Sequence, residues 1–259
     1  MDYFKKIEEN TYKDLAWNIP ETKKGMVNVI GGNKQNFRAV IKTAEYLSAN
    51  LPIQTIRIVM PDSLKSQLPD LPNLMFLNST ESGSFAEDDR LLEIMGVGDY
   101  NLVIGDLSKN AVTAKVLADA LEKVEIPTMI TRDSVDLMTE EKVDRILMND
   151  GIVYFASLAQ LQKVLRAVYY PKMLLMTQSL MQVAEVLHKF TLSYPAKIIT
   201  LHSGQVLIAE NGKVFAMPFE KTRQTMLTFW NGELAGKLVV YNLYNPDQFI
   251  EASVAGLFK

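Results

Sequence analysis

Short apolar runs alternate with longer amphipathic stretches along most of this chain, and this alternation constrains the fold more than any other sequence feature. The run MVNVIGG, residues 26–32, has the length and composition of a buried strand. The stretch after it places Phe37, Val40, Ile41, Ala44 and Leu47 on one face of a helix. A strand followed by an amphipathic helix is the repeating unit of a parallel sheet that helices cover.

The same unit is predicted to recur as far as residue 202. Further strands are predicted in TIRIVMPD (55–62), YNLVIGD (100–106), IPTMITRD (126–133), RILMND (145–150) and AKIITLH (196–202). Further helices are predicted in NAVTAKVLADALEKV (110–124), SLAQLQKVLRAV (157–168) and KMLLMTQSLMQVAEVLHKF (172–190). We therefore predict an α/β, three-layer fold in which a central, mainly parallel sheet carries helices on both faces.

The pattern changes near the carboxyl end of the chain. The segment QVLIAENGKVFAMP reads as two short strands around Asn211-Gly212, which is a strong signal for a two-residue hairpin. Two helices are predicted after it, in 232–244 and 246–258, with Pro246 in the first turn of the second. The polar tract 78–89 predicts a long surface loop. Since no linker or internal repeat interrupts these elements, we predict a single domain over residues 1–259.

Composition excludes several classes of function. The chain has no cysteine, which excludes disulfides, thiolate metal sites and cysteine nucleophiles. A net charge of −3 without a basic run gives no support for a nucleic-acid or membrane-surface partner. The amino-terminal residues are too charged for a signal peptide, and no apolar run reaches the roughly 18 residues that span a bilayer. We therefore expect a soluble, cytoplasmic protein with no nucleic-acid or membrane partner.

Polar and glycine residues follow five of the predicted strands. They are Gly31-Gly32-Asn33, Gly105-Asp106, Thr131-Arg132-Asp133, Asn149-Asp150 and His202-Ser203-Gly204. A glycine after a strand is more often a turn residue than a ligand contact, and an aspartate or asparagine there is often a helix cap. However, open parallel sheets bind ligands outside the carboxyl ends of their strands, so five such ends together favour a binding site. The two histidines show no metal-ligand spacing, and we predict no metal site built from side chains.

In order and spacing, these segments resemble the ribokinase-like superfamily and, within it, the ADP-dependent NAD(P)H-hydrate dehydratase family. KGMVNVIGGN resembles the family's opening Lys-Gly, strand and Gly-Gly-Ser, with Asn33 in place of the serine. YNLVIGD and PTMITRD stand where the family has strands that end in Gly-Pro-Gly and Asp-Ala-Asp. TLHSGQVLIAENGKV and WNGELAG resemble a strand ending in Leu-Lys-Gly-Ala with its hairpin, and the Gly-Thr-Gly-Asp that starts a helix. The resemblance covers nearly the whole chain.

The resemblance implies a lyase that dehydrates the hydrated ring of NAD(P)H and couples this step to hydrolysis of ADP or ATP, a chemistry that usually needs Mg²⁺. It implies substrate contacts at Gly31, Gly32, Asn33, Gly105 and Asp106. It implies nucleotide contacts at His202, Gly204, Asn231 and Gly232. The catalytic candidates are Glu233, whose carboxylate is expected to point into the cleft from a helix N-terminus, and Asp133. Relatives of this kind commonly self-associate, which implies a homo-oligomer.

Each catalytic patch of the family is altered in this chain. Gly-Thr-Gly-Asp becomes Trp230-Asn231-Gly232-Glu233, so either Glu233 or Gly232 aligns with the family's acid, depending on one gap. Asp-Ala-Asp becomes Thr131-Arg132-Asp133, Thr-Pro-His becomes Met148-Asn149-Asp150, and the lysine of Leu-Lys-Gly-Ala becomes His202. Structural roles stay open for the two candidate acids. Glu233 could simply be an acid in the first turn of a helix, stabilised by the helix dipole, and Asp133 could cap a helix.

Three functions therefore remain open from the sequence. The first is a divergent NAD(P)H-hydrate dehydratase. The second is a catalytically inactive relative that binds a nucleotide or acts as a structural subunit. The third is a ribokinase-type small-molecule kinase, because such kinases also place Gly-Gly and then Asn before a helix, as Gly31, Gly32 and Asn36 do here. Whether the protein is an enzyme is left open by the sequence.

Overall fold

The computed structural model describes residues 2–8, 11–12, 23–68, 71, 73–219 and 229–258. Ten strands in this part of the chain form one continuous sheet. They are β1 (Phe4–Lys6), β2 (Lys24–Gly31), β3 (Ile53–Pro61), β4 (Leu74–Leu77), β5 (Tyr100–Gly105), β6 (Thr128–Thr131), β7 (Ile152–Phe155), β8 (Lys197–His202), β9 (Gln205–Glu210) and β10 (Lys213–Pro218).

The strand order across the sheet is β1-β10-β9-β8-β7-β6-β5-β2-β3-β4. All neighbouring strands are parallel except the two pairs that β9 makes with β8 and β10. The β9–β10 pair is the hairpin around Asn211-Gly212, whose φ angles of 48° and 74° are those of the predicted two-residue turn. The β8–β9 pair is a second hairpin, which turns at Ser203-Gly204. The mainly parallel sheet of the sequence prediction is confirmed.

Helices cover both faces of the sheet. The helices of the described residues are α1 (Arg38–Asn50), α2 (Arg90–Met95), α3 (Ala111–Lys123), α4 (Asp133–Leu137), α5 (Val143–Leu147), α6 (Leu158–Ala167), α7 (Leu180–Ser193), α8 (Glu233–Tyr244) and α9 (Phe249–Phe258). Helices α2 to α7 pack in one hydrophobic cluster, whereas α1, α8 and α9 pack in a second. Alternate residues of β5 serve the two clusters, with Val103 in the first and Leu102 and Ile104 in the second. None of the described helices combines the length and the apolar character that a membrane crossing requires.

The sheet has a topological switch point at β2. This strand pairs with β3 on one side and with β5 on the other, so successive connections leave it in opposite directions. Gly31 and Gly32 make the predicted turn from β2 toward α1, and the Gly32 N–H donates to the Gly105 carbonyl at 3.0 Å. A Cβ atom on Gly31 would lie 2.4 Å from that same carbonyl oxygen, so only glycine permits this approach of β2 to β5.

Two predicted elements are wrong. The segment RILMND belongs to helix α5 and the turn after it, because Val143, Ile146 and Leu147 are buried at helical spacing. A short apolar run does not distinguish a strand from a buried helical turn. The helix predicted from Lys172 begins only at Leu180, since the Ser179 hydroxyl accepts from the Gln182 N–H in a capping box that starts the helix there.

Two smaller differences concern loops. The tract 78–89 lies between β4 and α2 as predicted, but Phe85 within it is fully buried in the core, so the tract is anchored and is not entirely a surface loop. Helix α9 begins at Phe249, so Pro246 precedes the helix and does not form its first turn.

Candidate functional site

A cleft of about 570 Å³ opens at the carboxyl ends of β5, β6 and β7. Its described lining comprises Asn36, Asp106, Arg132, Asp133, Asp136, Ser157, Gln160, Lys163 and Trp230. Ligands of open parallel sheets bind at this edge, beside a switch point. Two of the residues predicted from sequence, Asp106 and Asp133, therefore come together in the cleft.

The Asp106 carboxylate is buried and is held by donors from three directions. Its Oδ1 accepts from Asn36 Nδ2 at 2.9 Å and from Arg132 Nη2 at 2.8 Å. Its Oδ2 accepts from the Ala39 N–H at 2.9 Å, in the first turn of α1. The start of a helix favours a negative charge, so the side chain of Asp106 occupies the position at α1 where an external anion would otherwise bind.

Arg132 is a site residue that sequence reasoning named only as part of a strand end. Besides its ion pair with Asp106, it donates from Nη1 to the Trp230 carbonyl at 3.3 Å. Its Nε atom is buried without a hydrogen-bond partner in the described part of the chain. Both Asp106 and Arg132 have positive φ angles, 55° and 59°, which cost conformational energy in residues other than glycine. The tertiary structure therefore maintains this ion pair against local backbone preference.

Asp133 holds the turn that follows β5. Its Oδ1 accepts from the Asp106 N–H and its Oδ2 from the Leu107 N–H, each at 2.8 Å. A Cβ atom on Gly105 would lie 2.1 Å from Asp133 Oδ1, which explains the glycine at that position. Burial raises the pKa of Asp133, while the two N–H donors act in the opposite direction. Both oxygens of this predicted catalytic residue thus bind backbone.

The third carboxylate of the cleft is Asp136. Its Oδ1 accepts from Lys163 Nζ at 2.5 Å and its Oδ2 from Gln160 Nε2 at 2.8 Å. Gln160 also donates to the Arg132 carbonyl at 2.6 Å and completes the capping box with Ser157 at the start of α6. This side of the cleft is built from α4 and α6, and no sequence motif had pointed to it.

Helix α8 begins at Glu233, as the gapped alignment predicted. Gly232 before it has φ 101°, and a Cβ there would lie 2.4 Å from Ile104 Cδ1. Asn231 accepts the Glu233 N–H through Oδ1 at 2.9 Å. Glu233 itself does not line the cleft. It lies near Tyr46 of α1, whose pKa is raised by burial and by the negative charge of Glu233. Glu233 is therefore outside the described lining of the cleft, and its catalytic role stays a prediction.

The predicted nucleotide contacts of β8 lie at the same sheet edge but outside the described lining of the cleft. His202 is buried, and its Nε2 lies 2.8 Å from the Gln178 carbonyl oxygen and 3.1 Å from Ser203 Oγ. Gly204 turns the chain into β9 with φ 68°. His202 thus ends β8, and Gly204 lies in the turn between β8 and β9.

The remaining predicted residues divide between the two edges of the sheet. Asn33 supports the loop beside the cleft, where its Nδ2 donates to the Asp106 carbonyl and its Oδ1 accepts from the Gln35 N–H at 2.8 Å. Asn149 and Asp150 instead precede β7, at the amino edge. Their proposed position at a strand's carboxyl end is therefore wrong, because the segment that contains them is not a strand. Across the described residues, no group of three or more metal-binding side chains is present.

No protein-family model and no curated protein matches the sequence. Solved structures share its fold. A ribokinase-like superfamily protein from Enterococcus faecalis is 16% identical, with 100% of this chain and 86% of that chain covered at a TM-score of 0.69. A hypothetical protein from Streptococcus mutans is 18% identical, with 98% and 88% covered at a TM-score of 0.68.

A third similar structure is an ADP/ATP-dependent NAD(P)H-hydrate dehydratase from Bacillus subtilis that was co-crystallised with ATP and Mg²⁺. It is 10% identical, with 96% of this chain and 85% of that chain covered at a TM-score of 0.61. Identities of this size establish the fold alone. This chain therefore has the three-layer ribokinase-like fold.

Proposed function

We propose that the protein is a non-catalytic relative of the ribokinase-like enzymes that binds an adenine nucleotide in the cleft at the carboxyl ends of β5, β6 and β7. One observation carries this proposal. All the carboxylate oxygens of Asp106, Asp133 and Asp136 accept hydrogen bonds from protein donors. A general base must be able to take a proton from the substrate. With Glu233 outside the described lining, every carboxylate of the described cleft is already engaged by protein donors, and this arrangement disfavours a general-base role.

Three features support a nucleotide as the ligand. The cleft volume of about 570 Å³ is within the range of small-molecule sites. Trp230 provides an aromatic wall, and its ring is positioned by Phe155 and Phe229 at centroid distances of 5.3 and 4.6 Å. Lys163 has a largely exposed side chain, so its pair with Asp136 is weak enough for the ammonium group to turn toward a phosphate.

The charge of the lining predicts that binding depends on Mg²⁺. Three aspartates and two cations line the cleft, so an unaccompanied polyphosphate meets a net negative surface. Since the described residues contain no three-ligand metal group, Mg²⁺ would enter bound to the nucleotide. Mg²⁺ would then lower the negative charge that the polyphosphate presents to the three aspartates.

A thermal-shift assay with ADP, ATP and AMP, each with and without Mg²⁺, tests this proposal. A ligand at 100 times its dissociation constant stabilises by about 2.7 kcal/mol, which raises Tm by roughly 5 to 10 °C in a chain of this size. We expect that shift with ADP or ATP in the presence of Mg²⁺. Lys163→Gln should reduce the shift, whereas Lys189→Gln, which removes a similarly exposed lysine from an ion pair on α7, should not. No shift with any nucleotide would refute the proposal.

An active NAD(P)H-hydrate dehydratase is the second candidate. The similar fold of the Bacillus subtilis dehydratase favours it, as does the left-handed Gly232 directly before an acid. The assay supplies NAD(P)H hydrate with ADP or ATP, and we expect no turnover. Turnover that Glu233→Gln lowers by a factor on the order of 10² to 10⁴ would replace our proposal with this candidate. Phosphoryl transfer to a small alcohol in a parallel assay would instead identify a kinase.

The cellular setting remains part of the proposal. We retain the cytoplasm as the expected compartment and one domain over residues 1–259, because the chain has neither cysteine nor an internal linker.

A further inference from the structure

Two helices of the described chain begin with the same capping box, and one of them lines the candidate cleft. Helix α6 begins with Ser157 and Gln160, and α7 begins with Ser179 and Gln182. In each box the serine hydroxyl accepts from the glutamine N–H, and the glutamine Oε1 accepts from the serine N–H. Glutamate serves this motif as well as glutamine, because the motif uses only a side-chain oxygen. The start of the helix therefore explains Oε1 of each glutamine but not its amide nitrogen.

The two glutamines differ in what their amide nitrogens contact. Gln160 Nε2 donates to the Arg132 carbonyl at 2.6 Å and to Asp136 Oδ2 at 2.8 Å. Gln182 is exposed, and its Nε2 has no hydrogen-bond partner within the described residues. A carboxylate at position 160 would make neither of the Gln160 contacts, because both partners are acceptors. The amide at position 160 therefore serves the cleft and is not required by the helix.

The first of these contacts holds a strained peptide. Arg132 directly precedes α4 with φ 59° and ψ −141°, a conformation that costs energy in residues other than glycine. Its carbonyl accepts from the Val135 N–H at 3.2 Å and, at a shorter distance, from Gln160. The side chain of Arg132 pairs with the buried Asp106. Gln160 therefore acts on this ion pair through the backbone of Arg132.

The second contact concerns the charge on this wall of the cleft. Asp136 accepts from Lys163 at Oδ1 and from Gln160 at Oδ2. The side chain of Asp136 is only 28% exposed, so water replaces a lost protein donor only in part. When Lys163 leaves Asp136 to bind a phosphate, Gln160 is the donor that remains. A partly buried carboxylate that keeps one hydrogen bond costs less free energy than one that loses both.

We propose that Gln160 is a positioning residue of the cleft. Its amide nitrogen fixes the Arg132 peptide, and it holds Asp136 while Lys163 exchanges this carboxylate for the phosphate of a bound nucleotide. The exchange rests on the nucleotide-binding function proposed above, whereas the hold on Arg132 and Asp136 is a property of the chain without ligand. Gln160 thus affects the affinity for a nucleotide through its neighbours.

Calorimetric titration of the full chain with ADP and Mg²⁺ tests the exchange. Gln160→Met removes the amide but keeps the length and the helix propensity of the side chain. Because Asp136 then has no donor in the complex, we expect a dissociation constant about ten times higher than that of the wild type. Gln182→Met is the matched control, because it removes the same capping acceptor from α7 and should leave the affinity unchanged. Wild-type affinity in Gln160→Met, or equal losses in both variants, would overturn the proposal.

The pH dependence of the affinity distinguishes this role from a simple loss of structure. In Gln160→Met, protonation of Asp136 removes the need for a donor when Lys163 leaves. The ratio of the variant and wild-type dissociation constants should therefore shrink from about pH 7 to about pH 5. Titration of the other groups cancels in this ratio, because both proteins carry them. These charged lining residues are Asp106, Arg132, Asp133 and Lys163. A constant ratio would show that Gln160 does not act through Asp136, and the exchange would be refuted.

Thermal unfolding without nucleotide separates a failure of this proposal from a failure of the proposed function. If the wild-type protein binds no nucleotide, the exchange is refuted together with that function. The hold on Arg132 and Asp136 is still measured, because Gln160→Met should lower the Tm about twice as far as Gln182→Met, which loses only capping contacts. Equal losses of Tm in the two variants would refute the hold as well.

Discussion

Two buried polar clusters lie at opposite edges of the sheet, and they use different chemistry. At the amino edge, Asn28 of β2 donates through Nδ2 to the Ile94 carbonyl at 3.0 Å and to Asn101 Oδ1 of β5 at 2.8 Å. These groups are neutral, and the one charged neighbour, the Arg57 guanidinium, donates to Asn28 Oδ1 at the long distance of 3.4 Å. At the carboxyl edge, Asp106 after β5 is paired with Arg132 after β6, and both residues have positive φ angles. The buried polar groups at the amino edge are thus mainly neutral amides, whereas those at the carboxyl edge form an ion pair between two residues with strained backbones.

The two edges also differ in the size of their cavities and in the burial of their charges. A larger cavity, about 750 Å³, opens at the amino edge beside Glu122, Arg145 and Tyr194. Its ionised groups are mainly surface pairs, such as Arg145 with Glu122 at 2.9 Å, and exposed pairs of this kind contribute little. The smaller cleft at the carboxyl edge contains the buried charge and the strained turns. Buried charge and backbone strain locate the candidate site better than volume does.

The largest effect in this comparison is expected for Arg132→Met. The substitution leaves the buried Asp106 carboxylate without its cation, and breaking a buried pair from one side costs about 3 kcal/mol. Urea unfolding should show that loss in the free energy of unfolding. The double variant with Asp106→Asn should be more stable than Arg132→Met alone, because no uncompensated charge remains. A loss below about 1 kcal/mol in the single variant would show that Asn36 and Ala39 suffice to hold the carboxylate.

A smaller loss is expected for Asn28→Ala at the neutral edge. The substitution removes donors to the Ile94 carbonyl and Asn101 Oδ1 in a buried position, which costs about 2 kcal/mol. Asn50→Ala is the control, because its hydrogen bond to the Tyr46 carbonyl is exposed and should be worth no more than about 0.5 kcal/mol. Urea unfolding measures both variants. A larger loss in the free energy of unfolding for Asn28→Ala than for Arg132→Met would show that the neutral cluster stabilises the fold more than the ion pair does.

At the charged edge, the titration of Asp133 should make the free energy of unfolding depend on pH. Because burial raises the pKa of Asp133 above 3.8, the folded chain keeps this proton at pH values where the unfolded chain has released it. The contribution of Asp133 to stability should therefore fall as pH rises from about 4 through the raised pKa. Asp133→Asn removes this titration, so the stability difference between wild type and variant should shrink from pH 4 to pH 7.

Urea unfolding at several pH values measures that difference. Any constant cost of placing an amide opposite the Asp106 and Leu107 N–H groups does not change with pH. A difference that grows with pH would show that these two donors, rather than burial, dominate the pKa of Asp133.

The smallest effect is expected for Glu122→Gln at the rim of the amino-edge cavity. Glu122 is paired with Lys142 and Arg145 at the surface, where solvent screens ion pairs. We expect no measurable change in the urea midpoint at physiological salt. A change as large as that of Asn28→Ala would show that this cavity contains more than surface ion pairs.

Much of the fold follows from local sequence patterns. The turn at Gly31-Gly32 and the hairpin at Asn211-Gly212 are encoded by glycines that their backbone geometry requires, so short segments predict them. Helix α5 was missed because its short apolar run fits a strand equally well. The connection before α7 resembles a helix in sequence because apolar residues continue through it, although the capping box at Ser179 marks the start of the helix.

The candidate site could be predicted only in part. Asp106 and Asp133 were found because each follows a strand, and strand ends meet at one edge. Arg132 was present in the same pattern but had no signal that separated it from a turn residue. Asp136, Gln160 and Lys163 lie on helices α4 and α6, where polar residues are ordinary. Only the packing of these two helices brings them to one wall of the cleft.

Glu233 shows the limit most clearly. The sequence alone determined that a glycine turn with an acid after it begins a helix, because this preference belongs to the backbone of a few consecutive residues. The direction of the carboxylate depended on long-range contacts. Gly232 packs against Ile104 of β5 and Thr43 of α1, and this contact fixes how α8 lies on the sheet. Glu233 is consequently placed near Tyr46 and outside the described lining of the cleft. Local patterns encode backbone preferences, whereas side-chain direction depends on the packing of elements distant in sequence.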